Sequence, residues 1–295
     1  MRIGNMTTAI GLRRDNGEKI PITEIVRRCA DAGFEVMDAS FFTVHYKDHP
    51  FAIENWQKLV EDVRNEAEKC GTPFVQSHLP YRSLSTKHDI ELAKTPEGMA
   101  HFKKMSLRSI EMSHMLGVKW AVIHLMDDPD AAMSDREAHI RHNVRIFDEE
   151  INLAHKLGVG LAFENLYDIP KRRRFGVQAA ELKAFVDYCN SPLIGACWDI
   201  GHGHNSTFDQ ADSILLLGER IKALHVHDNN GKDDLHHVPF MGSVAWEKVM
   251  HALYASGCKA DLIFETFFSS IPEALRDDGL KLLYHIGQHL VSLYQ

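Results

Sequence analysis

The 295-residue sequence lacks the features that mark several classes of protein. Its five cysteines are odd in number and include no Cys-x-x-Cys pair, unlike a disulfide framework or a zinc ribbon. No apolar run approaches the roughly 18 residues that a membrane span needs. The opening segment MRIGNMTTAIGL lacks the apolar core of a signal peptide. We therefore expect a cytoplasmic protein with reduced thiols and no membrane partner.

Positive charge is also scarce. Lys and Arg total 33 against 41 Asp and Glu, which gives a formal net charge of −8 at pH 7. An acidic protein repels a phosphate backbone unless a local basic patch intervenes. Nucleic acid is therefore a disfavoured partner.

Eight short apolar runs of strand length alternate with longer segments of helical spacing. The runs cover 2–7, 36–41, 74–79, 120–125, 159–166, 193–200, 221–228 and 261–267. The helical segments include 22–33, 55–71, 99–117 and 136–158. This alternation implies a parallel sheet, and eight such units close most naturally into one (β/α)8 TIM barrel over residues 1–295. A doubly wound open sheet is the alternative, but the loop after the first run lacks the G-x-G-x-x-G phosphate-binding turn.

Histidine is unusually abundant, with 19 residues in the chain, and many lie at predicted strand ends. In a barrel of this kind, binding and catalytic residues follow the C-terminal ends of the strands. Six consecutive predicted strands, the third to the eighth, end in imidazole or carboxylate side chains. These residues are His78, His124, Glu164, Asp199 with His202, His225 with His227, and Glu265, and the loop after the seventh strand adds Asp234 and His236.

Such a concentration of carboxylates predicts a bound cation. Burying acidic groups costs several kcal/mol each unless positive charge compensates them. Mixed carboxylate and imidazole ligands suit Mn²⁺, Zn²⁺, Co²⁺ or Fe²⁺, and a carboxylate-rich subset also tolerates Mg²⁺. We therefore predict at least one divalent metal ion at the barrel mouth. For any single histidine, the alternative is a polar core residue with its hydrogen bonds satisfied inside the fold.

A basic run lies in the loop after the fifth predicted strand. It consists of Lys171, Arg172, Arg173 and Arg174. Near the mouth, these side chains could bind a phosphate or carboxylate of the substrate. A solvated charge run or an oligomer contact is the alternative, and four adjacent residues cannot all face one ligand.

The last predicted helix, 273–295, carries an apolar stripe. This stripe could join two copies into a homo-oligomer or pack against its own barrel. Both arrangements are compatible with the sequence.

Four segments resemble the xylose isomerase-like barrel superfamily, which includes sugar-phosphate isomerases and epimerases, ketose 3-epimerases, inosose dehydratase and endonuclease IV. The segments are FEN at 163–165, WDIGH at 198–202, HVHDNNGKDDLHHVP at 225–239 and FET at 264–266. In epimerase-like members, a single metal is held by residues that fall here on Glu164, Asp199, His225 and Glu265. The resemblance implies that Glu164 and Glu265 exchange a proton next to the carbonyl of a metal-bound sugar, through an enediolate. It thus implies a metal-dependent isomerase or epimerase of a sugar, sugar phosphate or keto-sugar.

The same resemblance leaves other functions open. A lyase or dehydratase acting on a sugar or polyol would use the same enolisation. Endonuclease IV holds three zinc ions with additional residues, so up to three metals and an abasic-site phosphodiesterase are also implied. These additional residues correspond to His78, His124, His202, Asp234 and His236, and His227 could make a further metal or substrate contact. A noncatalytic metal or sugar sensor is the remaining alternative.

One segment departs from the pattern of the sugar-acting relatives. They usually carry a Pro-Gly-x-Gly turn, where this sequence reads Pro239-Phe240-Met241-Gly242. The added Phe240 could narrow the substrate pocket or provide an apolar wall.

Overall fold

The structure is a computed structural model that describes residues 1–81, 86–169, 172–207 and 209–295. Its strands are β1 (Ile3–Met6), β2 (Val36–Ser40), β3 (Phe74–His78), β4 (Trp120–His124), β5 (Gly160–Glu164), β6 (Ile194–Asp199), β7 (Ile221–His225) and β8 (Leu262–Phe264). Its α-helices are α1 (Ile22–Ala32), α2 (Trp56–Cys70), α3 (Lys87–Leu92), α4 (Pro96–Leu116), α5 (Arg136–Ile146), α6 (Asp148–Leu157), α7 (Ala179–Cys189), α8 (Ile200–Ser206), α9 (Ala211–Leu217), α10 (Trp246–Ala255) and α11 (Glu273–Ser292). Each strand lies inside its predicted run.

The strands form one parallel sheet that curves into a barrel. Their order is β7-β6-β5-β4-β3-β2-β1-β8, so β1 to β7 pair in sequence order and β1 also pairs with β8. Val226, just beyond β7, joins the two ends of the sheet. Its N–H donates to the Ile263 carbonyl at 2.9 Å, and its own carbonyl accepts from the Glu265 N–H at 3.1 Å. The predicted (β/α)8 barrel is therefore confirmed.

Glycine ends several helices of the barrel. Gly33, Gly71, Gly117 and Gly158 follow α1, α2, α4 and α6 in the left-handed conformation. Glycine has no Cβ to strain this conformation, so it lets the chain leave the helix at once and enter the next strand.

The predicted helical segment 136–158 is not one helix. It is divided at Phe147 (φ −102°, ψ 13°) into α5 and α6. At this bend the Phe147 ring packs edge-on against Phe163 of β5, with ring centroids 5.8 Å apart. The break thus coincides with an aromatic contact between this bend and the barrel.

Inside the barrel, small side chains make a separate apolar layer. Val122, Ala162, Cys197 and Ala223 are buried together there, and Trp120 packs against them. Because side chains alternate along a strand, residues two positions beyond this layer also point inward, at the C-terminal mouth. The fold therefore directs the strand-end carboxylates and imidazoles toward the barrel axis.

The apolar stripe of α11 packs on its own barrel. Leu280, Leu283 and Leu290 are buried, and Tyr284 lies edge-on against Phe34 at 5.7 Å. A homo-oligomer through this helix stays a prediction. No helix in the described ranges, α11 included, is long and apolar enough to cross a bilayer.

Candidate active site

Glu164, at the end of β5, lies among four imidazoles. Its Oε2 is 2.9 Å from His124 Nε2 and 3.3 Å from His78 Nε2. Its Oε1 is 3.0 Å from His225 Nδ1 and 3.4 Å from His202 Nδ1. Burial by itself raises the pKa of Glu164, but the charges of His225 and His124 outweigh it and hold that pKa well below the usual range.

The four residues expected to hold a single metal converge at one place. Glu164, Asp199, His225 and Glu265 each contribute a ligand atom within 4.8 Å of the others. His225 Nδ1 is central, at 3.1 Å from Glu265 Oε2 and 3.8 Å from Asp199 Oδ2. Four strands therefore supply one compact set of oxygen and nitrogen donors.

Local hydrogen bonds fix the orientation of Asp199. It caps the N-terminus of α8, where its Oδ1 accepts the His202 backbone N–H at 2.6 Å. Asn165 accepts the Asp199 N–H at 2.6 Å and donates to the Asp199 carbonyl at 2.9 Å. Burial raises the pKa of Asp199, but nearby His202 and His227 outweigh it and lower that pKa. The carboxylate is thus ionised and held in place.

A second cluster lies beside the first, around Asp234. Asp234 Oδ2 is 3.2 Å from His236 Nε2 and 3.5 Å from His202 Nε2. His236 has a left-handed backbone (φ 48°), and its Nδ1 donates to the Glu265 carbonyl at 2.8 Å. Burial opposes protonation of His236, but the hydrogen bond to Asp234 prevails and raises its pKa to about 9. Such backbone strain in a residue other than glycine is typical of functional sites.

The chemistry of the donor set fits a divalent cation. Asp234 Oδ1 is a buried oxygen without a hydrogen bond among the described residues, and the near polar neighbours of Glu164 Oε2 are imidazole nitrogens. In the same part of the chain, no Lys or Arg forms an ion pair with Glu164, Asp199, Asp234 or Glu265. Buried carboxylates need positive charge, which only imidazolium or a bound cation could supply here.

The donors also form overlapping groups. His78, His124 and Glu164 lie mutually within 4.8 Å, as do Asp199, His202 and His227. Glu164 and Asp199 each belong to two groups, so either carboxylate could bridge two ions. The predictions of one metal and of up to three metals both remain.

Two tyrosines at the mouth were not predicted. Tyr81 stacks on His124 with ring centroids 4.7 Å apart and an interplanar angle of 21°. Tyr167 lies 4.9 Å from the His202 ring, and burial raises the pKa of its hydroxyl to about 12. Each tyrosine follows a predicted strand-end ligand by three residues, but its place at the mouth depends on ring contacts formed after folding.

Two phenylalanines that follow the last strands differ in position. Phe267 lies 5.2 Å from the His236 ring, so it borders the site. Phe240 is 50% exposed, and its ring lies 6.1 Å from Trp246 and 5.5 Å from His289. Phe240 therefore packs on the outer helices, and no described ring contact places it against the imidazole cluster.

Asp38 of β2 is a buried acid that the sequence reasoning also missed. Burial raises its pKa to about 6, and the charges of His225 and His78 partly oppose that rise. Its Oδ2 has no hydrogen-bond partner among the described residues. A carboxylate in the middle of an apolar strand was the signal for this position.

The basic run does not act as one unit. Lys171 lies outside the described residues. Arg172 pairs at 2.8 Å with a carboxylate of the loop after β4, and Arg173 pairs at 2.7 Å with Glu181 of α7. The Arg174 guanidinium makes no ion pair or hydrogen bond with any described residue, and it lines a cavity beside His124. Binding of an anionic substrate group by this run stays a prediction, for which Arg174 is the unpaired cation among the described residues of the run.

The chain is similar to known proteins in sequence and in fold. The uncharacterized protein y4fM of Sinorhizobium fredii is 27% identical over 159 residues, which cover 53% of this chain and 50% of that protein. The match thus spans about half the length of this curated relative. A D-psicose 3-epimerase structure superimposes with a TM-score of 0.73 at 15% identity, covering 100% of both chains. A D-tagatose 3-epimerase-like protein gives 0.70 at 19% identity, covering 99% of this chain and 100% of that one.

At such low identity, the structural likeness shows a shared fold. Membership of a family is shown by the sequence, because residues 26–286 match the family model described as xylose isomerase-like TIM barrel. That match covers most of the chain, from α1 to α11, including every candidate ligand. The protein belongs to the xylose isomerase-like TIM barrel family.

Proposed function

We propose that this protein is a divalent-metal-dependent isomerase or epimerase acting on a sugar, a sugar phosphate or a keto-sugar. The observation that carries the proposal is the pairing of Glu164 and Glu265 around His225, whose Nδ1 is 3.0 Å from one carboxylate and 3.1 Å from the other. Two carboxylates beside one substrate carbon can remove a proton and return it. The sugar epimerases among the structural relatives support the same reaction class.

The two carboxylates differ in access to substrate. The Glu265 side chain is 12% exposed and that of Glu164 is 1% exposed. Glu265 therefore faces the mouth, and Glu164 acts from the buried side when the two carboxylates exchange a proton with the substrate. A divalent ion held by Glu164, Asp199, His225 and Glu265 would polarise the substrate carbonyl and stabilise negative charge on it.

Other side chains would bind and orient the sugar. His202 and Tyr167 lie together at one edge of the mouth, with ring centroids 4.9 Å apart. Their polar atoms can hydrogen-bond to sugar hydroxyls, and the rings of Tyr81 and Phe267 restrict access of water. A polar centre within an aromatic rim is typical of a small-molecule site.

The test is solvent deuterium exchange combined with metal analysis. The wild-type protein is incubated in D2O with ketohexoses, ketopentoses and their phosphates, and incorporation next to the carbonyl is followed by NMR. We expect exchange and bound metal in the wild type, and exchange reduced by about 100-fold or more in Glu265→Gln. The exposed Glu219→Gln is the matched control and should exchange normally. No exchange with any of these sugars by metal-loaded protein would contradict the proposal.

The same spectra separate a lyase from an epimerase. A dehydratase would release water and give an unsaturated or deoxy product, whereas an epimerase or isomerase keeps the composition of its substrate. This distinction requires no further variant.

A metal-dependent phosphodiesterase is the second candidate, because Asp234, His202 and His236 form a further cluster beside the first. In that case purified protein should contain two or three metals per chain, His236→Ala should lower the number, and abasic-site DNA should be cleaved. One metal, unchanged by His236→Ala, favours the sugar enzyme. The net charge of −8 opposes binding of DNA.

A further inference from the structure

A cavity of about 540 Å³ opens beside the imidazole cluster, between α4, the bend that joins α5 to α6, and the loops after β3 and β4. His124 and Tyr81 form the wall that it shares with the candidate active site. The rest is largely apolar and is lined by Met99, Phe102, Ile123, Ile146 and Phe147. The cavity thus continues from the place where a sugar would be bound.

Among the described residues that line the cavity, each Lys or Arg except one forms an ion pair with a carboxylate. Lys103 pairs with Glu150 at 2.6 Å, and Arg172 pairs with Asp127 at 2.8 Å. Arg174 also lines the cavity but has no hydrogen bond or ion pair from its guanidinium to any described residue. Burial lowers the pKa of Arg174, which means that the charge is partly removed from water. A partly buried cation beside apolar walls favours a ligand that brings an anion.

Arg174 is also close to the candidate active site. Arg174 and His124 line the same cavity, and His124 Nε2 is 2.9 Å from Glu164 Oε2. A group bound at Arg174 could therefore belong to the same molecule as a sugar bound near Glu164.

We propose that this cavity binds an aromatic, acidic substituent of the substrate, with Arg174 holding the acidic group, so that the substrate is a sugar conjugate. Cavities of roughly 300–1,000 Å³ accept ligands larger than a monosaccharide, and a free ketose at the metal cluster would leave this one empty. The flat rings of Phe102, Phe147 and Tyr81 suit an aromatic group. That the substrate contains a sugar rests on the proposed function. Binding of the aromatic, acidic substituent does not require metal.

The test uses 2-naphthoate, with neutral 2-naphthylmethanol beside it, in calorimetric titrations of the metal-containing wild type and its variants. We expect saturable binding of 2-naphthoate to the wild type. Arg174→Gln should weaken that binding by about tenfold or more, since a charge-assisted hydrogen bond is lost, and leave the neutral compound unaffected. Met99→Trp, at a partly exposed position on α4, should fill the cavity and weaken the binding of both compounds.

Two control variants distinguish binding in the cavity from a general effect of charge and from binding at the metal cluster. Arg141→Gln removes a charge from an exposed position on α5 and should bind 2-naphthoate as the wild type does. Glu164→Gln disrupts the candidate metal cluster and should keep 2-naphthoate affinity within about twofold. No saturable binding, equal binding to Met99→Trp, or loss of binding in Glu164→Gln would each overturn the proposal. Absence of sugar exchange with naphthoate binding intact would instead contradict the proposed reaction alone.

Discussion

His227 holds the carboxylate of Asp199 from one side, with its Nε2 3.1 Å from each of the two oxygens. Its ring is fully buried and stacks on His236, with centroids 4.0 Å apart. The backbone of Gly201 packs against the same ring, where a Cβ would collide with it. His227 thus connects the ligand group around Glu164 with the group around Asp234.

This contact predicts a role for His227 in metal affinity. Residues that orient metal ligands typically contribute about 10- to 100-fold to affinity, so His227→Leu should weaken metal binding by that factor. His227→Gln should retain part of the affinity, because its amide can still donate to Asp199. The measurement is a metal titration against a chromophoric chelator, with the exposed His285→Gln as control. Wild-type affinity in His227→Leu would show that the strand-end contacts alone orient Asp199.

Asp228 is predicted to stabilise the loop that follows β7. Its buried carboxylate accepts the indole N–H of Trp246 at 2.9 Å and the backbone N–H groups of Phe240 and Val244 at 2.9 and 3.0 Å. Asp228→Asn would turn an amide NH2 toward one of these donors, and we expect a loss of about 2–4 kcal/mol in the free energy of unfolding. Urea denaturation measures this loss. The exposed Asp233→Asn should change the free energy by less than about 0.5 kcal/mol.

Phe240 occupies a backbone conformation that favours glycine, with φ of 72°. At such a position, glycine is preferred over an L residue by about 1 kcal/mol. Phe240→Gly should therefore be more stable than Phe240→Ala by that amount, since both remove the same ring contacts. Equilibrium unfolding of the two variants gives the comparison. Equal stability, or a more stable alanine variant, would show that the loop relaxes to another conformation.

His49 makes stability depend on pH. Burial lowers its pKa to about 4, and its Nδ1 accepts the Phe51 N–H at 3.3 Å, which requires a neutral ring. In the unfolded chain its pKa is about 6.5, so the unfolded state binds more protons between pH 4 and 6.5. The contribution of His49 to the free energy of unfolding is complete above pH 6.5. It is lost as the pH falls, and the loss is about 2 kcal/mol between pH 7 and 5.

The matched variant for this effect is His49→Asn, whose side-chain oxygen can accept the same N–H without titrating. Urea unfolding at pH 7 and pH 5 should show a drop in stability smaller by about 2 kcal/mol in the variant than in the wild type. The same drop in both proteins would assign the pH dependence to other groups.

The barrel and the gathering of carboxylate and imidazole side chains at its mouth could be derived from the sequence because both follow from local rules. Apolar runs of strand length, separated by helical segments, gave the strand positions to within a few residues. Parallel strands bring their C-terminal ends to one edge, so Glu164, Asp199, His225 and Glu265 had to lie near one another. Their roles as metal ligands and proton carriers stay predictions.

Other parts of the site depend on contacts between distant residues. Tyr81 borders the site because its ring stacks on His124, which ends a different strand. Asp38 lies near the imidazoles only because β2 pairs with β3. Nothing in the local sequence distinguishes Arg174 from its neighbours. In the described part of the chain, Arg172 and Arg173 form ion pairs with carboxylates after folding, whereas Arg174 forms none.

The sequence by itself therefore determined the eight-unit alternation and the imidazole and carboxylate residues at the ends of the third to eighth strands. Only the tertiary structure decided that the helical segment 136–158 bends at Phe147, and that a cavity opens there beside His124. The physical reason is that periodicity depends on neighbours along the chain, whereas a bend and a cavity depend on side chains that meet after folding.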